Sequence, residues 1–379
     1  APAVSGAPSA PAAPASPAAP APPPEARSSA APPGPADDAA PDGPRRRPVS
    51  ELLTELRGVY RAVSSATEQY NAADEALREQ RAHVRRLHSR LATARTELSQ
   101  ERATAGRLAR EQYRGGGSGL PPYLRLLLSR DPQEAFSRSH LLNQAAQEQA
   151  RTVQRVAGGA RRLDRTAEQA EEALRRREEL ARTRAERRDT VRERLDAVAE
   201  LLASLSDAQL AAVRELEREQ AREAQRTLLS DVRLTGADAA ARTPSAAGAQ
   251  AVRFAAAQLG KPYQWGAEGP DAFDCSGLTS QAWGEAGTGV PRTSQEQWRR
   301  LPRVELDDLR PGDLVVYFKD ATHVALYVGE GRVVHAPRPG ERIVVAPLAG
   351  PGPVAGAVRP DPAARPLPRY TPPALPPAG

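Results

Sequence analysis

The 379-residue sequence contains no methionine and only one cysteine, Cys275. A single cysteine excludes an internal disulfide, and one cysteine with a few scattered histidines does not make a closely spaced zinc site. Aromatic residues make up only 4% of the chain, so it lacks the aromatics that interleave a basic nucleic-acid-binding surface. No stretch approaches the ~18 apolar residues that a membrane span needs. We therefore expect no metal, no cofactor, no nucleic acid and no membrane span.

The beginning of the chain and its basic residues indicate where the protein works. The chain starts Ala1-Pro2-Ala3, which is typical of a chain whose signal peptide was removed, although a chain shortened by hand is the alternative. Arginine supplies nearly all basic residues, and alanine and proline are abundant, which is typical of a GC-rich genome. The net charge of +6 favours an anionic envelope polymer or, equally, a solvated helical surface. We expect a secreted, extracellular or cell wall-associated protein of a GC-rich Gram-positive bacterium.

The amino-terminal half divides into a low-complexity segment and a long helical one. Residues 1–48 are rich in Ala and Pro and cannot bury enough apolar surface to offset their ordering entropy, so they predict a disordered tether. From residue 49 apolar residues recur at alternating steps of four and three, which predicts a coiled coil over 49–235. The first such positions are Leu52, Leu56, Val59, Val63, Ala66, Tyr70, Ala73 and Leu77.

A glycine-rich break divides the coiled coil into two segments of similar length. Helices of equal length joined by a turn indicate an antiparallel hairpin, with an apolar tip near 115–138. The tip either caps the hairpin end or docks on a partner, for which we consider a membrane division complex or the protein's own catalytic groove. Ser206-Asp207-Ala208-Gln209 has the form of a capping box, which predicts a further helix to about Ser230.

A compact domain is predicted over 249–360, after a linker at 236–248 and before a Pro-rich tail at 361–379. Two helical segments, 249–259 and 276–287, precede strand-like runs at 313–318, 323–328, 332–335 and 343–347. Helices followed by antiparallel strands indicate an α+β fold.

Cys275 lies where this domain's second helix should begin, and two strands carry His323 and His335. The helix N-terminus favours a thiolate, the nucleophilic form of cysteine. Asp274 or Ser276 could cap that turn. His323 could accept the thiol proton and His335 could orient it, while Tyr263 could donate to an oxyanion. Taken singly, a lone cysteine or strand histidine is more often structural.

Six sequence blocks, in order, carry a resemblance to a known family. They are Gly260-Lys261-Pro262-Tyr263-Gln264-Trp265-Gly266, Asp274-Cys275-Ser276-Gly277-Leu278, Pro291-Arg292-Thr293-Ser294-Gln295, Leu309-Arg310-Pro311-Gly312-Asp313-Leu314, His323-Val324-Ala325-Leu326-Tyr327-Val328-Gly329, and His335.

Together these blocks resemble the NlpC/P60 family of cell-wall cysteine peptidases. The resemblance implies a papain-like α+β fold and cleavage of peptidoglycan stem peptides between D-glutamate and a diamino acid. It implies Cys275 as nucleophile, His323 as base and His335 as the orienting third residue. The residues expected at the oxyanion or the substrate are Tyr263, Asp274, Ser276 and Arg292.

The amino-terminal half resembles the coiled-coil modules of secreted peptidoglycan hydrolases. That resemblance implies a hairpin that holds the catalytic groove closed until a membrane division complex binds. We therefore expect the full-length protein to be less active than residues 249–379 alone. Two alternatives stay open: a non-catalytic adaptor or activator of cell-wall hydrolysis, and an amidase or acyltransferase of the same fold.

Overall fold

Three helices form the amino-terminal part of the protein, which a computed structural model describes over residues 47–115, 132–232 and 242–378. They are α1 (Val49–Gly115), α2 (Pro132–Ser204) and α3 (Asp207–Asp231). Within those ranges no helix is both long enough and apolar enough to cross a membrane. Most of the predicted tether, the centre of the predicted tip and part of the predicted linker lie outside the described residues.

Helices α1 and α2 pack side by side in antiparallel directions, as the heptad pattern predicts. The register is fixed by polar contacts along their length: Gln69 with Arg187, Asp74 with Arg184, Gln80 with Ala173, and Glu101 with Arg162. Between these contacts the apolar heptad positions are buried, which removes them from water and stabilises the pair. The buried residues of α1 include Leu52, Leu56, Val63, Ala66, Ala73, Leu77, Val84, Leu87, Leu91 and Leu98.

Helix α3 begins at the predicted capping box. The Ser206 side chain accepts from the Gln209 backbone N–H, and the Gln209 side chain accepts from the Ser206 backbone N–H. Two N–H groups that a helix start leaves unpaired are thereby satisfied. The break at Ser206 turns the chain back, and Val213 of α3 is buried with Leu52, Leu53 and Leu56 of α1.

The carboxy-terminal domain contains three helices and a six-stranded antiparallel sheet, which confirms the α+β class. The helices are α4 (Ala246–Ala257), α5 (Cys275–Glu285) and α6 (Ser294–Arg300), and a short 3-10 turn spans Leu306–Asp308. The strands are β1 (Arg303–Val304), β2 (Leu314–Tyr317), β3 (His323–Gly329), β4 (Arg332–His335), β5 (Val344–Pro347) and β6 (Val354–Val358), and they lie in the order β1-β6-β2-β3-β4-β5.

Helix α6 and strands β1 and β6 do not follow from the sequence pattern. The β6 segment contains Gly356 and follows two prolines, which is typical of a loop. The glycine is needed because a Cβ at position 356 would lie 2.7 Å from the ring of Trp298 in α6. Gly356 therefore lets β6 pack closely against an aromatic ring of another element while it pairs with β1 and β2.

Both faces of the sheet are covered, which explains why the central strands carry apolar residues on both faces. One face, with Leu314, Val316 and Leu326, packs against α4 and α5. The other face, with Val315, Tyr317, Ala325, Tyr327 and Val333, packs against Leu228, Leu229 and Val232 at the end of α3. The amino-terminal helices thus complete the core of the carboxy-terminal domain.

Helix α3 also holds this domain through polar contacts. The Gln225 side chain donates to the Gly331 carbonyl and accepts from the Ala349 N–H, both at 2.9 Å. The Arg338 guanidinium forms a bidentate pair with Glu217 at 3.0 and 2.9 Å. Such a two-point pair fixes orientation as well as distance.

The Pro-rich tail packs against the carboxy-terminal domain. The Leu367 N–H donates to the Pro244 carbonyl, and Arg310 pairs with Asp361 at 2.8 Å. Leu375 contacts the main core. The tail thereby packs beside Pro244, the segment where the chain enters the carboxy-terminal domain.

Candidate active site

Cys275 is the first residue of α5, and its position is fixed from both sides. Asp274 is the N-cap, and its carboxylate accepts from the Gly277 N–H at 2.7 Å, so Asp274 rather than Ser276 caps the turn. A Cβ at Gly277 would lie 2.3 Å from the Ala267 carbonyl oxygen. Glycine at 277 therefore lets the loop before α5 pack directly against the helix start.

Arg292 joins the same cluster from the loop before α6. Its guanidinium donates to both carboxylate oxygens of Asp274, at 3.0 and 2.7 Å, and to the Ser276 hydroxyl oxygen at 3.0 Å. It also lies 3.1 Å from the Glu268 carboxylate. Asp274 is fully buried, so this pairing supplies the charge compensation that a buried carboxylate requires.

The two predicted histidines lie side by side on adjacent strands. His323 Nε2 and His335 Nδ1 are 2.9 Å apart. That contact leaves Nδ1 of His323 as the ring nitrogen free to serve a thiol. The backbone N–H of the next residue, Val324, hydrogen-bonds to Cys275, so β3 brings His323 to the start of α5.

Burial sets the charge of both rings. It lowers the pKa of His323 to about 4, and burial together with the His323 charge lowers the pKa of His335 well below its usual value. Both rings are therefore neutral at neutral pH, and a single proton is shared along the contact between them.

Tyr263 also lies in this cluster, as the sequence predicts. It is largely buried, and burial raises the pKa of its phenol well above the usual value, with the Cys275 and Asp274 charges adding to the shift. The phenol therefore stays protonated and keeps a hydrogen-bond donor near the thiol.

A residue of α1, Glu68, occupies the space in front of the thiol. Its carboxyl group is hydrogen-bonded to the Ser276 hydroxyl and accepts from the Ser294 N–H, both at 2.8 Å. The Cys275 sulfur lies 3.8 Å from the same carboxylate. Glu68 is 2% exposed and Cys275 is 4% exposed, so the helix closes the nucleophile off from solvent.

Neighbouring residues of α1 continue this contact along the groove. The Asn71 side-chain amide donates to the Asp274 carboxylate at 3.0 Å. The Tyr70 ring packs edge-on against Trp265, with centroids 5.0 Å apart. Arg78 pairs with Glu268 at 2.8 Å. A cleft of about 510 Å³ remains beside Arg78 along residues 264–272.

The electrostatics of the closed site oppose the expected thiolate. Burial raises the pKa of Cys275 well above its usual value, and the Glu68 and Asp274 charges raise it further. The position at a helix N-terminus is as predicted, but with α1 in place it does not produce an ionised cysteine. The thiol is held protonated for as long as α1 keeps it buried.

The sequence interpretation found Cys275, His323, His335, Tyr263, Asp274, Ser276 and Arg292, and the structure brings all seven into one region. It missed Thr67, Glu68 and Asn71 of α1, and Ser294 of α6. The three α1 residues are buried although they lie outside the heptad positions.

Comparison with known proteins places this site in a family. Residues 260–356 match the model of the NlpC/P60 family. A probable endopeptidase of Corynebacterium glutamicum is 50% identical over 101 residues, which are 26% of this chain and 48% of that protein. A probable endopeptidase of Mycobacterium tuberculosis is 40% identical over 108 residues, which are 28% of each chain. The similarity thus spans less than half the length of these relatives.

Among solved structures, the NlpC/p60 domain of peptidoglycan hydrolase SagA is 30% identical over 30% of this chain and 97% of that chain, with a TM-score of 0.28. The matched residues of this chain contain the start of α5, the Arg292 cluster and the histidine pair. The chain therefore carries an NlpC/P60 family domain in its carboxy-terminal region.

Proposed function

We propose that this protein is a secreted peptidoglycan hydrolase, a cysteine endopeptidase that cleaves stem peptides between D-glutamate and the diamino acid. The observation that carries the proposal is Cys275 at a helix start beside the His323–His335 pair. The family of the domain supports the substrate class. Relatives of the domain from Corynebacterium glutamicum and Mycobacterium tuberculosis agree with the expected GC-rich Gram-positive source, and other relatives are Listeria proteins.

The proposed reaction uses these groups in turn. His323 accepts the Cys275 proton, and the thiolate attacks the D-glutamyl carbonyl carbon. The Cys275 N–H and the Tyr263 hydroxyl stabilise the oxyanion. His323 then protonates the amine of the diamino acid, which leaves as the C–N bond breaks. Water hydrolyses the thioester, releasing the new carboxylate and the free thiol, while His335 holds the His323 ring in orientation.

Purified sacculi provide the test of this activity. We expect the wild-type protein to release soluble muropeptides and Cys275→Ala to release none, because the thiolate forms the covalent intermediate. Product mass separates the alternatives, since an amidase, an acyltransferase and an endopeptidase act on different bonds. Equal release by both proteins, or release by neither once α1 is displaced, would favour the non-catalytic adaptor.

We further propose that α1 inhibits the site in cis. The support is steric and electrostatic, since Glu68 covers the sulfur of Cys275 and the resulting burial disfavours ionisation of the thiol. The predicted activator is a membrane division complex acting at the tip, a region whose centre lies outside the described residues. Inhibition in cis needs only the contacts of α1 itself.

A bulky substitution on α1 tests inhibition without removing any part of the chain. Thr67 is 1% exposed and lies against Tyr263, so Thr67→Trp cannot fit in the closed form and should raise both hydrolysis and Cys275 alkylation. Thr93→Trp, at an exposed position of the same helix, is the matched control. If both variants behave as wild type, α1 does not restrain the site.

A further inference from the structure

Negative charge exceeds positive charge where α1 meets the carboxy-terminal domain. Glu68 and Asp274 are both buried and their side chains meet at Ser276, whose oxygen lies 2.8 Å from Glu68 and 3.3 Å from Asp274. Arg292 is the buried cation beside them, and its hydrogen bonds go to Asp274, Ser276 and Glu268. Among the residues that the structure describes, Glu68 is therefore left without an ion-pair partner of its own, which is costly for a buried carboxylate.

Both contacts of Ser276, with Glu68 and with Asp274, can be hydrogen bonds at once when Glu68 carries a proton. A hydroxyl has one hydrogen, so Ser276 cannot donate to Glu68 and Asp274 at once. With a proton on its Oε1, Glu68 donates to the Ser276 oxygen, and Ser276 donates to Asp274. Ser276 then also accepts from Arg292, and Glu68 Oε2 accepts from the Ser294 N–H. Every donor and acceptor in this chain has a partner.

We propose that Glu68 takes up a proton when α1 closes over Cys275, so that acidic conditions favour the closed form and alkaline conditions favour the open one. The proposal rests on the cis inhibition proposed above. Nothing in it requires the peptidase reaction itself, because it concerns only the equilibrium between the two positions of α1.

The pKa of Glu68 shifts in the direction that the geometry requires. Burial, with the Asp274 charge, raises the pKa of the closed-form carboxyl from 4.5 to about 7, against the opposing effects of Ser276, Arg292 and the Ser294 N–H. Because Glu68 has the higher pKa in the closed form, its proton stabilises closure. This stabilisation is complete below pH ~4.5 and is lost as the pH rises through about 7.

The titratable groups that act most strongly on Glu68 within the described residues belong to the carboxy-terminal domain. Cys275, Asp274, Arg292 and Tyr263 face it electrostatically. His323 has its ring contacts with Tyr317 and His335 of its own domain. These groups are shared by the wild-type protein and a Glu68→Gln variant, so a comparison of the two isolates the proton on Glu68.

The test is the alkylation rate of Cys275 in the full-length protein, measured with iodoacetamide between pH 5.5 and 7.5. Glu68→Gln resembles the protonated acid and cannot titrate. The open forms of both proteins share the same thiol, so the ratio of wild-type to Glu68→Gln rates reports closure alone. A carboxyl whose pKa moves from 4.5 to about 7 predicts that this ratio rises about 20-fold over those two pH units.

Two further variants make each outcome decisive. Thr67→Trp gives the rate of the open form, and Glu79→Gln, an exposed carboxylate on α1, should follow wild type at every pH. A flat wild-type to Glu68→Gln ratio, with both slower than Thr67→Trp, overturns the proton uptake and leaves cis inhibition intact. Wild type reacting as fast as Thr67→Trp throughout overturns both. If Glu68→Gln fails to fold, the wild-type to Thr67→Trp ratio must show the same rise.

Discussion

Replacing Asn71 by alanine should loosen the closed form more than any change at the exposed rim of the contact. The Asn71 amide is buried and donates to a carboxylate, and a hydrogen bond to a charged group contributes about 1.5–3 kcal/mol. Asp274 keeps its bonds from Gly266 and Arg292, which limits the penalty of leaving it unpaired. We therefore expect a loss near the lower end, about 1.5–2 kcal/mol, or roughly a 10- to 30-fold increase in open form.

The same iodoacetamide reaction, run at a single pH, measures this increase as a faster alkylation of Cys275. Arg78→Ala is the informative comparison, because its partner Glu268 is 25% exposed and Arg78 itself is 51% exposed. A pair of that kind contributes at most about 1 kcal/mol, roughly a fivefold effect. Asn143→Ala, at an exposed position of α2, should change nothing. If Asn71→Ala reacts no faster than Arg78→Ala, burial does not determine which contacts hold α1.

Two other predictions concern the carboxy-terminal domain itself. Gly277→Ala should destabilise the fold and lower activity, because its Cβ would lie 2.3 Å from the Ala267 carbonyl oxygen. Gly284→Ala, whose Cβ would have nothing within 4 Å, should raise the melting temperature slightly. Equal melting temperatures for the two would contradict the close approach. His323 has its pKa lowered to about 4 from 6.5, so its contribution to the free energy of unfolding is present above pH 6.5 and is lost as the pH falls. Relative to His323→Gln, the wild type should lose about 2 kcal/mol between pH 7 and pH 5 in denaturant titrations, and parallel pH profiles would refute this.

The part of the site that lies within one domain could be predicted from the sequence. Asp274 next to Cys275 predicts a capped helix start, and strand-like runs around His323 and His335 predict neighbouring positions. These inferences depend on local periodicity and on short-range hydrogen bonds, which residue types express directly. The structure has the helix start and the 2.9 Å histidine contact where the sequence places them.

The contact of α1 with the site could not be predicted in the same way. Glu68 and Ser276 are 208 positions apart, and a glutamate between heptad positions is normally a solvated residue. Its burial depends on how α3 docks on the sheet, which no local pattern encodes. For the same reason the protonated thiol was not expected, because its main cause is burial under a distant helix.

The covering of the sheet by α3 means that the amino-terminal helices and the carboxy-terminal domain hold together without the peptide chain between them. Leu228, Leu229 and Val232 fill an apolar face that would otherwise meet water. A protease that cuts between α3 and α4 would therefore leave the two fragments associated, with Glu68 still over Cys275. After cleavage the amino-terminal helices would remain bound as a separate inhibitory fragment. Activation by proteolysis would therefore require a second event that removes α3 from the sheet.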